Sequence, residues 1–159
     1  MLKGQIPLTA TRPTPPTVSS ATNLARGKPT AESSHTQVYV SANAVDGDPR
    51  TYWESANYAF PQWLRVDLGA AYAVGRIVLK LPPDSVWGAR TQTLSVSGSL
   101  DGSSYTTVVG SADYRFDPAT GNRVTITFGP TTQRYLRLTF TANTGWPAGQ
   151  VGEFEVYAS

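Results

Sequence analysis

The stretch Asn43-Ala44-Val45-Asp46-Gly47-Asp48-Pro49-Arg50-Thr51 crowds two carboxylates, a glycine, a proline and a hydroxyl into one loop. A calcium ion takes about six to eight oxygens from carboxylates, hydroxyls and main-chain carbonyls, and a tight turn lets a short segment supply several of them. Asp46 and Asp48, two residues apart, can face one point if Gly47 lets the chain curl. Thr51 can then add its hydroxyl and its carbonyl. The same residues fit a plain Asx turn, in which the carboxylates accept bonds from nearby N–H groups. The spacing is not that of an EF-hand, so on the residues alone both readings stand.

Two tryptophans offer a different chemistry. Trp87 lies in Pro82-Pro83-Asp84-Ser85-Val86-Trp87-Gly88-Ala89-Arg90, and Trp146 in Ala142-Asn143-Thr144-Gly145-Trp146-Pro147-Ala148-Gly149-Gln150. Both stretches read as loops. A flat aromatic face covers the apolar side of a pyranose, and planar polar side chains beside it pair with hydroxyls. Either indole can instead tuck under its own loop and cap the core. Catalysis has less to draw on, since His35 is the only histidine and cysteine is absent. Glycoside hydrolysis needs two convergent carboxylates, and Glu32 with Glu54 or Asp84 is the pairing on offer. Their spacing neither makes nor forbids that arrangement.

These loops need a scaffold, and from Asn23 onward the sequence supplies short β runs broken by turn residues. Residues 62–68, 93–97, 123–128 and 134–140 alternate apolar and polar positions, the pattern of half-buried strands. Val74 to Leu81 is a longer apolar run, and Glu153-Phe154-Glu155-Val156-Tyr157 closes the chain. Gly98-Ser99-Leu100-Asp101-Gly102 reads as a hairpin turn. No window shows apolar spacing at three and four. Strands at this density predict an all-β protein, a jelly-roll β-sandwich of about eight antiparallel strands.

Of the 159 residues, 40% are hydrophobic and only 15% charged, with 14 Gly and 12 Pro disfavouring long helices. The net charge of +2, without any Lys/Arg run, excludes a nucleic-acid footprint. No apolar stretch reaches the roughly 18 residues of a membrane span. Residues 1–22 include LTATRPTPPTVSSAT, too poor in apolar side chains to bury a core. They read as a Pro/Thr/Ser-rich linker or terminal tail, with the domain itself at residues 23–159. Residues 1–10 lack the features of a signal peptide, and the chain reads as cut from a longer one.

Six pieces, in this order, resemble the discoidin domain, also called the coagulation-factor type C domain, and in particular its bacterial relatives, the family 32 carbohydrate-binding modules. They are Asn23-Leu24-Ala25-Arg26-Gly27-Lys28-Pro29, Ala44-Val45-Asp46-Gly47-Asp48 with Thr51 and Trp53, Trp63-Leu64-Arg65-Val66-Asp67-Leu68-Gly69, Ser99-Leu100-Asp101-Gly102, Arg134-Tyr135-Leu136-Arg137-Leu138, and Glu153-Phe154-Glu155-Val156-Tyr157. The resemblance implies a galactose-binding-domain-like sandwich with Trp53 and Trp63 in its core. It also implies a structural calcium held by the Asn43 carbonyl, Asp46, Asp48, both oxygens of Thr51, the Gly152 carbonyl and Glu153. Animal members commonly tie their ends with a disulfide, so the absence of cysteine favours the bacterial, glycan-binding branch.

For function, the resemblance implies a non-catalytic, secreted, monomeric module. Its partners would be a polysaccharide or oligosaccharide and the catalytic domain of a parent glycoside hydrolase. In such modules the loops carrying Trp87 and Trp146 meet the first loop at one end of the sandwich. There Glu32, His35 and Arg90 would assist the two indoles, with Tyr58 a further candidate. Room beside two loop tryptophans favours a glucan over a galactose-containing glycan. The competing expectation is an adhesion or membrane-surface module presenting apolar spikes; only Val86 beside Trp87 fits that pattern, and Lys is scarce in these loops.

Overall fold

The computed structural model describes residues 15–159. Its strands are β1 Thr30–Glu32, β2 Trp53–Glu54, β3 Gln62–Lys80, β4 Arg90–Ser99, β5 Thr106–Phe116, β6 Arg123–Asn143, β7 Gln150–Val151 and β8 Glu153–Ala158. β3 and β6 are several times longer than the usual ~5–6 residues, because each runs through both layers of a sandwich. Residues 62–67 of β3 pair with β1 and with residues 135–140 of β6, whose far side pairs with β4 and then β5. Residues 72–80 of β3 pair instead with the first half of β6 and with β8. One layer therefore reads β1-β3-β6-β4-β5 and the other β6-β3-β8. Register shifts between Asp67 and Tyr72 and between Val74 and Arg76 mark the bend in β3. The runs 62–68 and 74–81, separate in the sequence reading, thus fall in one strand up to Lys80, and 123–128 and 134–140 in another.

Alternation fills the space between the layers. Leu64, Val66, Leu94, Val96, Leu136, Leu138 and Phe140 from one layer meet Ile77, Leu79, Phe154 and Val156 from the other in a single cluster, all fully buried. Each such side chain contributes roughly 1.5–3 kcal/mol on leaving water. Trp53 belongs to this cluster at 0% exposure, its ring 5.7 Å from that of Phe140. Trp63 does not, contrary to expectation. Leu64 and Val66 take the inward positions of β3, so period two puts Trp63 on the outer face with Arg65. It is half-buried there, with the Arg137 guanidinium 5.9 Å over its ring.

The expected linker lies partly outside the described residues, at 1–14. Its described part leans on the domain: Val18 packs against the core, and Arg76 donates to the Ser20 carbonyl at 3.1 Å. The Leu24 N–H then donates to the Val156 carbonyl at 2.8 Å, and the Asn23 side chain accepts from the Val156 N–H at 3.1 Å. Chain start and last strand are zipped together.

Candidate functional site

Two constellations stand out, and the first joins residues 43–51 to the start of β8. Asp46 makes the Asx turn, accepting the Asp48 N–H at 2.9 Å, while its other oxygen accepts the Thr51 hydroxyl. That hydroxyl also lies 3.0 Å from the Asp48 carbonyl and 3.5 Å from the Asn43 carbonyl. From the other end of the chain, Glu153 accepts the Gly47 N–H at 2.9 Å, with the Asp46 carboxyl beside it. Glycine is required beside it, because a Cβ on Gly152 would sit 2.6 Å from the Pro49 carbonyl.

The Asp48 carboxylate departs from expectation. It does not face the common point, since Arg50 takes it in a two-pronged pair at 3.0 Å per bond. Arg50 also holds that carboxyl below the usual carboxylate range. What Asp48 turns inward is its main-chain carbonyl. The gathered donors are therefore all oxygens: the Asp46 and Glu153 carboxyls, the Thr51 hydroxyl, and the Asn43 and Asp48 carbonyls. Among the described residues no three His, Cys, Asp or Glu side chains converge, so any ion here leans on main-chain carbonyls as hard cations do. Glu153 is only 2% exposed. Burial, with the Asp46 carboxyl beside it, pushes its pKa up to about 8. Two carboxyls this close tolerate each other by sharing a proton or by sharing a cation.

The second constellation is a hollow of about 210 Å³ at the end of the sandwich, where β2, β4 and β7 meet the loops before β4 and after β6. Its floor is polar. β2 and β7 set Glu54 opposite Gln150, and the Gln150 amide donates to Glu54 Oε1 at 2.8 Å while accepting Arg90 Nη1 at 2.8 Å. Gln92 and Asn143 complete the network through the Gln150 backbone and side chain. Burial draws the Arg90 guanidinium below its ordinary pKa, opposed by the Glu54 charge. Among the described residues, Glu54 Oε2 and Arg90 Nη2 make no hydrogen bond within the chain.

Its walls are aromatic. Tyr39 stacks on Tyr52 at 4.4 Å, and Tyr52 meets Trp87 edge-on at 4.6 Å. Burial and the bond to Tyr39 raise the Tyr52 phenol well above its usual pKa, so it stays a neutral donor. Trp87 is half-buried, packed on the core, with Arg90 5.0 Å over its ring. It is a wall rather than an open platform. Trp146 is the open face, 47% exposed, its indole N–H donating to Asn57 Oδ1 at 3.2 Å.

Of the residues picked out from the sequence, Trp87, Arg90 and Trp146 come together in this hollow. Tyr58 is at 88% exposure and meets Trp146 in an adjoining depression. Glu32 and His35 do not line the hollow. They bond each other, and Glu32 is drawn away to accept the Ser41 N–H at 2.6 Å, satisfying a free donor where a 3-10 turn begins. Sequence reasoning missed Tyr52 and Gln150 and weighed Glu54 only as a catalytic acid. Tyr52 carried a signal, standing beside a tryptophan next to the acidic loop. The Glu54–Gln150 partnership carried none, being a pairing across 96 positions.

Residues 28–154 match the F5/8 type C domain family. Chitosan-binding module 1 from a chitosanase/glucanase of Paenibacillus sp. IK-5 is 32% identical, over 86% of this chain and 99% of that one, at a TM-score of 0.68. Module 2 of the same enzyme, solved with chitotriose, is also 32% identical, over 86% of this chain and 100% of that one, at a TM-score of 0.66. A polysaccharide lyase 8 family protein of Enterococcus faecalis is 39% identical over 70 residues, 44% of this chain. The chain spans 5% of the length of that curated relative.

Proposed function

This chain belongs to the F5/8 type C domain family and is a non-catalytic binding domain, and from that premise we propose that it is a carbohydrate-binding module for a gluco-configured polysaccharide. The observation that carries the reading is the hollow itself: an exposed indole beside a carboxylate oxygen and a guanidinium nitrogen that have no partner among the described residues, held by one buried network. The acceptor and the donor suit neighbouring ring hydroxyls. Equatorial hydroxyls leave both faces of a gluco ring flat enough to meet an aromatic wall, whereas an axial hydroxyl spoils one face. Two relatives at 32% identity bear the name chitosan-binding, and chitosan is gluco-configured. The module would hold a secreted polysaccharide-degrading enzyme on its polymer by raising local concentration, which needs no tight monovalent binding.

Affinity electrophoresis in gels containing β-glucan, chitosan or galactan tests this. The domain should be retarded by a gluco-configured polymer and run freely in galactan. Retardation by galactan alone would reverse the sugar preference. Indifference to every polysaccharide, with binding to anionic vesicles, would replace the reading with an adhesion role.

We also propose that the first constellation holds a structural calcium, with Asp46, Glu153, Thr51 and the carbonyls of Asn43 and Asp48 as ligands. The ion would supply the positive charge that two adjoining carboxyls lack, and it would tie the first loop to the last strand.

A further inference from the structure

Trp146 also lines a second hollow, whose other walls include Tyr58, Thr144 and Pro147. The two hollows measure about 210 and 300 Å³. Pockets for drug-sized ligands run from about 300 to 1,000 Å³, so the first falls below that range and the second only reaches its lower end. Sharing one indole, they suit successive rings of one chain.

Tyr58 gives the second hollow a built character. Its φ is +59°, a left-handed conformation that costs a non-glycine residue about 1 kcal/mol or more. The ring it carries is 88% exposed, so folding gains almost nothing from hiding it. The loop holds it there all the same. The Tyr58 N–H donates to the Pro147 carbonyl at 2.8 Å, and its neighbour Asn57 accepts from the Trp146 indole. Those two bonds fix the loop carrying Tyr58 to the loop carrying Trp146.

We infer that the Tyr58–Trp146 hollow is a second sugar subsite, so that the domain grips an internal run of two or more residues of a polysaccharide rather than a single terminal sugar. The inference rests on the carbohydrate reading of the first hollow. The two subsites divide the work. The first has the charged, networked floor and selects the ring; the second has no charged lining residue and adds stacking that tolerates substituents.

Isothermal titration calorimetry with glucosamine oligomers and cello-oligosaccharides of one to four residues tests it. In the series that is bound, affinity should rise at least about tenfold from the monosaccharide to the trisaccharide, the share an aromatic hot spot carries. Tyr58→Ala should bring the trisaccharide to within about twofold of the monosaccharide and leave monosaccharide binding unchanged. Tyr58→Phe, which keeps the ring, should retain the rise. Equal affinity for all lengths, or a full rise in Tyr58→Ala, would overturn the second subsite while persisting monosaccharide binding left the first hollow's role standing. Failure of every oligomer and every polymer to bind would overturn both.

Discussion

The junction at Asp46 and Glu153 brings like charges together, while the rim at Trp87 and Trp146 stands on unlike charges already joined. At the junction Glu153 is buried against a second carboxyl and its pKa is pushed up to about 8. At the rim Arg90 and Glu54 belong to one network through Gln150, and the indole above them stays open to water. A buried carboxyl against a second one needs a proton or a cation between them, so a ligand there would belong to the fold. A charge-balanced network under an exposed aromatic needs no ion to stand, so a ligand there could come and go. Stability should therefore follow the junction and affinity the rim, and each can be changed without the other.

The largest expected effect is at the junction. An ion that binds only the folded state adds about 2.7 kcal/mol at hundredfold excess over Kd, which for a chain of this size is roughly 5–10 °C in Tm. EDTA should lower Tm by that amount in calorimetry, and Asp46→Ala should erase the difference. Identical curves with and without chelator would break the comparison at once. Next in size is the rim. Trp146→Ala should weaken polysaccharide retardation at least about tenfold, or ~1.4 kcal/mol, while its Tm keeps the full response to EDTA. A parallel loss of both would mean that the regions are coupled.

A further effect concerns pH. With chelator present, Glu153 has a folded pKa of about 8 against an ordinary 4.5, so folding takes up a proton between those values. The stabilisation is complete below about pH 4.5 and is lost as pH rises through 8. Tm in EDTA should fall across that window, and Glu153→Gln should flatten the slope. In calcium, which takes the proton's place, the fall should vanish in the wild type. The smallest effect lies in neither region. Arg134 holds Asp67 below the usual carboxylate range through a partly exposed two-pronged pair. Such a pair contributes at most ~1 kcal/mol, present above the ordinary carboxylate pKa and lost as pH falls through the lowered one. Asp67→Asn should cost no more than that, as read by urea denaturation, with calcium response and retardation unchanged.

The alternating runs were written in the sequence, because alternation is a local property of the chain, but not their joining into β3 and β6. The alternation at 62–68 and 134–140 matches the inward Leu64, Val66, Leu136 and Leu138. The loops holding Asp46, Trp87 and Trp146 were legible for the same reason, as turn residues interrupting that alternation. Only the tertiary structure decided which side chains finish each site. Trp53 and Trp63 look alike in the sequence, yet the pairing of β2 with β7 buries one while the phase of β3 turns the other out toward Arg137. Asp48 carries as suitable a carboxylate as Asp46, and a guanidinium two residues away diverts it. Glu32 and His35 sit in the expected loop but satisfy each other and the Ser41 N–H. Glu54 and Gln150 become one floor only where two short strands meet. Period and turn chemistry act over a few residues, whereas a hydrogen-bond partner is whatever the folded layers place within three ångströms, and that depends on the whole chain at once.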